Sequence, residues 1–177
     1  VFNHYDCNLY NYYRENIVAP DTLKFITLSV LNGLDHLQSN SVLHKDLKPE
    51  NILVMTTPSG VRSCVICDFN SSVVLENNCL ETNNLDIITL WYRSPEIYLQ
   101  NKLYNISYSS DMWSFGCILY ELICGNSLFG FKIKRDIVKD SQYLFSLHTH
   151  LLGKCPVEST CVSYTCYKHN RIFCLNK

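Results

Sequence analysis

The sequence carries little net charge and has no block of basic residues. Its 177 residues contain 15 Lys and Arg against 16 Asp and Glu, which gives a formal net charge of −1. Proteins that hold nucleic acid or anionic membranes by electrostatics usually present a concentrated basic surface. The composition therefore gives no support for a nucleic-acid or membrane partner, and neither partner is expected.

Long hydrophobic runs are also lacking. The longest apolar stretch, around residues 117–124, is interrupted by Glu121 and is much shorter than the roughly 20 residues that span a bilayer. The opening Val-Phe-Asn-His has neither the charged start nor the apolar segment of a secretory signal. Because 47% of the residues are hydrophobic, we expect one compact domain with a sizeable core. Interpreting the cysteines as reduced thiols leads us to expect a location in the cytoplasm or nucleus.

Ten cysteines could indicate a disulfide scaffold or a metal site. Cys64 and Cys117 lie in apolar patterns, and we interpret them as small, reduced core residues. Cys64 and Cys67 have C-x-x-C spacing, but side chains three residues apart on a strand face opposite sides and do not clamp zinc. Zinc in the C-terminal part stays an open alternative without a recognisable spacing, and its candidate ligands are Cys155, Cys161, Cys166, His169 and Cys174.

The most informative stretch is residues 44–51, which read His-Lys-Asp-Leu-Lys-Pro-Glu-Asn. It places the carboxylate of Asp46, the ammonium of Lys48 and the carboxamide of Asn51 close together along the chain. In-line phosphoryl transfer needs an acid that orients the attacking hydroxyl, a cation for the γ-phosphate and an oxygen ligand for Mg²⁺. The stretch resembles the catalytic loop of eukaryotic protein kinases, H-R-D-L-x-x-x-N.

Other kinase-like segments follow in the same order as in that family. The stretch Thr-Leu-Trp-Tyr-Arg-Ser-Pro-Glu resembles the T-x-W-Y-R-A-P-E of cyclin-dependent and mitogen-activated kinases, and Asn-Leu-Tyr near the start resembles the dual-specificity branch. Several ordered matches are far more specific than one. They lie at residues 8–10, 44–51, 64–70, 89–96 and 111–121.

Helical periodicity predicts two main helices. The first begins at Pro20-Asp21, where Asp21 is expected to cap the free N–H groups, and ends near Ser39. The second is a central helix over residues 111–124, closed by Gly125 as a C-terminal cap. The apolar stripe of the first helix recurs every three or four residues at Leu23, Ile26, Val30, Leu34 and Leu37.

A hairpin with its turn at residues 58–60 is predicted to hold Asp46 and Asp68 at opposite ends of one rigid unit. Together with the resemblance, these elements imply an α+β, mainly α-helical fold: the C-terminal lobe of a protein kinase, with short β-ribbons at the active site. Residues 1–156 are assigned to a partial kinase domain comprising hinge and large lobe. Residues 157–177 show neither helical nor strand periodicity and form an unassigned Cys-rich tail.

The resemblance implies roles for five polar side chains. Asp46 corresponds to the catalytic base, Lys48 contacts the γ-phosphate, and Thr89 hydrogen-bonds both of them. Asn51 and Asp68 hold Mg²⁺ through oxygen, which is the ligand atom this ion prefers. A lysine at position 48 is typical of Ser/Thr kinases.

ATP would bind where the chain begins. By resemblance, Phe2 is the gatekeeper, the backbone groups of Asn3 and Tyr5 pair with adenine, and Leu53 lies beneath the adenine ring. Residues 9–13 then predict a short amphipathic surface helix, whose tyrosines are expected to have no direct role.

Two departures from the family pattern lie next to the catalytic residues. Lys45 stands where the family usually has Arg, and Lys cannot receive a loop phosphate bidentately as Arg does. Asn70 stands where D-F-G has glycine, and Asn tolerates positive φ better than most residues. His44 and Phe69 are expected to stack in the core, anchored by Asp111.

The activation segment departs as well: Asn84 stands at the activating Thr position and Asp86 at the activating Tyr position. Three features that the family has before the hinge are lacking: a glycine-rich loop, the V-A-I-K lysine and an αC glutamate. We therefore expect a Ser/Thr, or dual-specificity, protein kinase acting on a protein substrate, with this chain as an inactive fragment lacking the small lobe. The alternative is a pseudokinase-like binding module without transfer activity. The oligomeric state is left open.

Overall fold

The computed structural model describes residues 3–75, 89–94, 97 and 106–129, together with the backbone of 162–166 and 171–175. Within these residues there are three helices, α1 to α3, and seven short strands, β1 to β7. Short 3₁₀ turns lie at Pro49–Asn51, Phe69–Ser71 and Leu90–Tyr92. In chain order the elements are β1 Cys7–Asn8, α1 Leu9–Glu15, α2 Pro20–Ser39, β2 Val42–Leu43, β3 Ile52–Thr57, β4 Gly60–Ile66, β5 Val73–Val74, α3 Tyr108–Cys124, β6 Val162–Cys166 and β7 Arg171–Leu175.

Helix α2 follows the predicted apolar stripe but starts differently at its N-terminus. Ile26, Val30 and Leu34 are buried, as the 3.6-residue period requires. The N-cap residue is Ala19, which makes no side-chain cap, so the prediction that Asp21 caps the helix is wrong. Pro at the first helical position presets φ there, and Asp21 lies in the first turn, where the helix dipole favours a carboxylate.

The predicted hairpin is present as strands β3 and β4, and β1 adds a third strand in the order β1-β3-β4. Helix α2 packs against β4, and the absence of a side chain at Gly33 permits this close approach. A Cβ atom built at Gly33 would lie 3.0 Å from Cδ1 of Ile66. A separate two-stranded ribbon pairs β2 with β5. The hairpin therefore joins the segment containing Asp46 to the segment containing Asp68.

Helix α3 begins at Tyr108, earlier than the predicted Asp111. Ser107 is the N-cap, and its hydroxyl accepts a hydrogen bond from the backbone N–H of Ser109. The helix ends at Cys124, and Gly125 adopts the left-handed conformation with φ of 71°. A glycine in this position lets the last turn close without steric cost, as predicted.

The main core lies between α2, α3 and β3. It includes large, fully buried side chains of Ile26, Ile52, Phe115 and Ile118. Five cysteines whose side chains the structure describes are free thiols: Cys7, Cys64, Cys67, Cys117 and Cys124. Burial raises the pKa of both Cys64 and Cys117 to about 12, which fits inert core thiols.

The two ends of the chain compare differently with the sequence expectations. Helix α1 is amphipathic, as predicted, because Leu9 and Tyr13 are buried in the main core while Tyr10 is exposed. No strand period was recognised in residues 157–177, whereas β6 and β7 pair antiparallel, with Tyr164 opposite Phe173. Val162–Cys166 alternates apolar and polar residues, which is a strand signal that was missed. Among the described helices, none is long and apolar enough to cross a membrane.

Candidate active site

The loop that follows β2 is fixed to the N-terminal part of α3 by Asp111. The backbone N–H groups of His44 and Lys45 donate to the two carboxylate oxygens of Asp111, at 2.7 and 3.0 Å. Burial raises the pKa of Asp111, and these two hydrogen bonds act against that rise. Lys45 has a φ of 70°, in the left-handed region that side-chain-bearing residues rarely occupy. The two Asp111 contacts hold the backbone in this turn.

His44 connects this loop to the end of β4. Its Nε2 lies 2.9 Å from the carbonyl oxygen of Cys67, and its Nδ1 accepts from the backbone N–H of Asp46 at 3.3 Å. These contacts assign the ring proton to Nε2, since the carbonyl can only accept. The ring is fully buried. His44 thus links the Asp46 backbone directly to the residue that precedes Asp68.

The carboxylate of Asp46 accepts from four donors on three residues, and one of them is Nδ2 of Asn51, which lies 3.4 Å from Oδ2. Nζ of Lys48 lies 2.5 Å from Oδ2, while the hydroxyl and the backbone N–H of Thr89 donate to Oδ1 at 2.6 and 3.1 Å. Lys48 also donates to the Thr89 hydroxyl at 3.2 Å. Lys48 and Thr89 are 41 residues apart in sequence, so the fold brings the predicted catalytic set together.

These contacts determine the charge on Asp46. Burial alone would raise the pKa of Asp46, but the hydrogen bonds from Lys48 and Thr89 together outweigh burial and lower it. The carboxylate is therefore ionised throughout the neutral range and can accept a proton or a hydroxyl hydrogen bond.

Asn51 and Asp68 are the predicted Mg²⁺ ligands. The amide nitrogen of Asn51 donates to the backbone carbonyl of Asp46 at 2.9 Å, which leaves its side-chain oxygen as the atom for a cation. Asp68 has a φ of 65°, and Nδ2 of Asn70 donates to its Oδ1 at 2.8 Å. Carboxylate and amide oxygens fit Mg²⁺, which binds to one or two carboxylates and completes its shell with water and phosphate.

Within the described residues no three His, Cys, Asp or Glu side chains cluster in a way that could hold a metal ion. A zinc site of the usual Cys and His type is therefore not present in this part of the chain. The tail cysteines proposed as an alternative have no described side chains.

The predicted adenine contacts are only partly described. Leu53 is half-buried on β3, where it pairs with Asn8 of β1. Asn3 is exposed and Tyr5 is half-buried, and both precede β1. Phe2 lies outside the described residues, as do Asn84 and Asp86.

Phe69 differs from the prediction that it is a core residue. Its ring contacts the edge of His44, with centroids 5.1 Å apart at 63°, but 46% of the residue is exposed. Phe69 lies in the short turn after Asp68, and the contact with His44 covers only one side of the ring.

Sequence reasoning missed a buried contact between three distant segments. Glu121 of α3 accepts hydrogen bonds from the hydroxyls of Tyr13, at 2.5 Å, and Tyr92, at 2.7 Å. Burial raises the pKa of both tyrosines, and Glu121 raises it further, so both remain protonated donors. Because Tyr13 and Glu121 are 108 residues apart, no local pattern could have indicated the pair.

A cavity of about 390 Å³ opens beside Thr89 and above this contact. Aromatic rings, carboxylates and small polar residues line it. The lining includes Tyr10, Glu50, Trp91, Tyr92 and Ser127. The cavity therefore borders Thr89, whose hydroxyl donates to Asp46.

Comparison with known proteins gives one consistent result. The family model described as "Protein kinase domain" matches residues 1–165, which extends beyond the predicted boundary at residue 156. The chain is 38% identical over 140 residues to a probable cyclin-dependent kinase 8 of Dictyostelium discoideum. It is 38% identical over 144 residues to cyclin-dependent kinase 8, and 36% over 126 residues to mitogen-activated protein kinase mpk-1, both of Caenorhabditis elegans.

These matches cover 76%, 77% and 70% of the chain, respectively, but only 36%, 24% and 27% of the relatives. Among solved structures, the crystal structure of the yeast RNA Pol II CTD kinase CTDK-1 complex aligns with a TM-score of 0.65 and 27% identity. That alignment covers 80% of this chain and 44% of the other. The chain thus spans about a quarter to under half of the length of the proteins it matches.

Proposed function

Because the chain belongs to the protein kinase family, with relatives among cyclin-dependent and mitogen-activated kinases, we propose that it forms the mainly helical C-terminal lobe of a serine/threonine kinase. In this proposal the parent protein transfers the γ-phosphate of ATP to hydroxyl groups of a protein substrate. Its location is the cytoplasm or the nucleus. Dual specificity is a finer possibility that the Asn-Leu-Tyr at residues 8–10 favours.

The contact between Asp46, Lys48 and Thr89 carries the proposal. Asp46 is ionised and held in one orientation, so it can accept the hydrogen bond and then the proton of the substrate hydroxyl. A loose transition state needs positioning more than basicity, which suits a carboxylate of lowered pKa. Lys48 lies 2.5 Å from Asp46 and so brings its charge to the place where the transferred phosphoryl group would pass.

Asn51 and Asp68 are assigned to the metal side of the site. When bound, Mg²⁺ neutralises the phosphate charge and fixes the orientation of the nucleotide. The oxygen of Asn51 and the carboxylate of Asp68 would bind it, while Leu53, Tyr5, Asn3 and Phe2 would contact the nucleotide base.

We test the proposal in a protein that joins this chain to a kinase small lobe. Asp46→Asn keeps the size of the side chain but removes its charge and its ability to accept a proton. We expect kcat to fall by about 10²–10⁴-fold, the range of general base catalysis, with ATP binding nearly unchanged. Phosphate transfer is measured with radiolabelled ATP, and nucleotide binding by calorimetry.

The matched control is Asp35→Asn, an exposed aspartate of α2 that should leave both quantities unchanged. Near-normal transfer by Asp46→Asn would remove the assigned role. A wild-type protein that binds nucleotide but transfers no phosphate would instead favour the binding-module alternative.

A further inference from the structure

Asn70 is a residue next to the proposed metal site that the kinase-like assignments leave without a role. The related pattern D-F-G has glycine here, which carries no side chain, whereas Asn brings an amide donor and an oxygen. The inference below rests on the proposed function, because it assumes that Asp68 binds a divalent cation.

The structure brings the Asn70 amide onto the Asp68 carboxylate. Nδ2 of Asn70 lies 2.8 Å from Oδ1 of Asp68, within the 3₁₀ turn Phe69–Ser71. This turn is fixed to the catalytic loop, because the hydroxyl of Ser72 donates to the backbone carbonyl of His44 at 3.2 Å. The backbone N–H of Ser72 also donates to the carbonyl of Phe69 at 3.0 Å. The Asn70 amide therefore donates to Asp68 from a turn that Ser72 fixes to the loop containing His44.

We propose that Asn70 is a positioning residue that makes Asp68 a one-oxygen metal ligand and thereby favours Mg²⁺ over larger cations. A carboxylate can bind a cation through one oxygen or through both. The hydrogen bond uses one lone pair of Oδ1 and limits rotation about the Cβ–Cγ bond, which favours Oδ2 as the oxygen presented to the ion.

The size of the cation makes this distinction measurable. Mg²⁺ requires near-ideal octahedral geometry at about 2.0–2.1 Å and suits a one-oxygen carboxylate, whereas Ca²⁺ accepts six to eight oxygens and binds carboxylates through one or two of them. Residues that hydrogen-bond a metal ligand typically change metal affinity about 10–100-fold when they are mutated. Loss of the amide should therefore weaken Mg²⁺ binding and leave Ca²⁺ binding equal or stronger.

The experiment uses the 177-residue chain and Mn²⁺ alone as the probe. Paramagnetic broadening of backbone amide resonances in residues 66–72 reports Mn²⁺ at the site, and Mg²⁺ or Ca²⁺ is then added to displace it. We expect Asn70→Ala to raise the ratio of the Mg²⁺ to the Ca²⁺ concentration needed for half-displacement by about 10-fold, because any change in Mn²⁺ affinity cancels from this ratio. Asn70→Gly should behave like Asn70→Ala, because both lack the amide although their backbone freedom differs.

Two further variants separate the outcomes. Asn40→Ala removes an exposed Asn at the end of α2, whose amide donates to the carbonyl of His36 at 2.8 Å. Because no hydrogen bond joins Asn40 to Asp68 in the described part of the chain, this variant should keep the wild-type ratio of Mg²⁺ to Ca²⁺ affinity. Asp68→Ala should abolish the broadening. If wild type shows no broadening that depends on Asp68, the proposed metal site is wrong and the inference fails with it.

If broadening depends on Asp68 but Asn70→Ala keeps the wild-type Mg²⁺-to-Ca²⁺ ratio, the inference alone is wrong. Equal weakening of both ions would likewise overturn it, since a general loosening of the turn would act on both. A change in Asn70→Ala without one in Asn70→Gly would assign the effect to the backbone and contradict a role for the amide.

Discussion

At the scale of single residues, Asp46 combines burial with hydrogen bonds from Lys48, Asn51 and Thr89. The closeness of Asp46, Lys48 and Asn51 could be predicted from the sequence, because the proposed chemistry needs these side chains within one short loop. Residues 44–51 contain them in the order of the family pattern. The hydrogen bond from Thr89 was predicted only through the resemblance, since 43 residues separate it from Asp46. The contact between Asn70 and Asp68 was not predicted, because an Asn can adopt a turn without using its amide.

The lowered pKa of Asp46 predicts how stability changes with pH. A carboxyl whose pKa is lower in the folded than in the unfolded state stabilises the fold above the unfolded pKa of about 3.9, and this contribution is lost as pH falls through the folded pKa. Asp46→Asn should thus be less stable than wild type near pH 7, with a difference that shrinks below about pH 4.

Urea denaturation of both proteins at several pH values measures this difference. Asp35→Asn serves as the exposed control and should show a small, nearly constant difference. A gap between Asp46→Asn and wild type that stays the same down to pH 2 would show that Lys48 and Thr89 do not stabilise the ionised carboxylate.

At the scale of elements, the sequence predicted the two long helices and their buried faces, but it did not predict the capping of α2 or the partners of Glu121. A 3.6-residue period is repeated over most of α2, so Ile26 and Val30 were found in the core. The start of α2 was misplaced because capping depends on one residue, and Ala19 and Asp21 are equally compatible with the stripe. Glu121 was read as a charge that interrupts an apolar run, whereas it is buried and hydrogen-bonded.

The contact of Glu121 with Tyr13 and Tyr92 joins α1, α3 and the turn that follows Thr89. We expect Tyr92→Phe to lower the free energy of unfolding by about 2 kcal/mol, because the buried side chain of Glu121 loses one of the two donors that the described residues supply. Tyr13→Phe should have an effect of similar size. Thermal and urea unfolding measure both.

Tyr12→Phe is the matched control on α1, since among the described residues its hydroxyl makes no hydrogen bond to Glu121. It should change stability by less than about 0.5 kcal/mol. If Tyr13→Phe and Tyr92→Phe behave like this control, the contact does not stabilise the three segments.

At the scale of the whole molecule, ordered motifs allowed the family to be predicted although the chain spans only part of its relatives. Motif order is robust because each motif serves one step of a shared chemistry. The family model continues to residue 165, and the strands β6 and β7 lie where no period was recognised, while the division of the chain at residue 156 stays a prediction. Short paired strands depend on partners along the chain, which a local pattern does not reveal.

The regulation of the complete protein can be argued from the loop that contains Lys45. In the family pattern an Arg at this position binds the phosphate of the activation segment through two parallel hydrogen bonds. The ammonium of a Lys binds phosphate only as a point charge. Lys45 is 6% exposed, and its backbone N–H donates to Asp111. A buried Lys that is tied into the loop is poorly placed to respond to a newly added phosphate group.

We therefore predict that the complete kinase does not depend strongly on phosphorylation of its activation segment. Asn84 cannot be phosphorylated, and the resemblance implies that the fixed charge of Asp86 stands at the activating Tyr position of the family. Activity should change little after phosphatase treatment, whereas Asp86→Ala should lower it if that charge substitutes for a phosphate. If Asp86→Ala has the activity of the wild type, the charge of Asp86 has no regulatory role. A large loss of activity in phosphatase-treated wild type would contradict the prediction, and Thr82→Ala would then identify the modified residue, because this variant would already have the low activity before treatment.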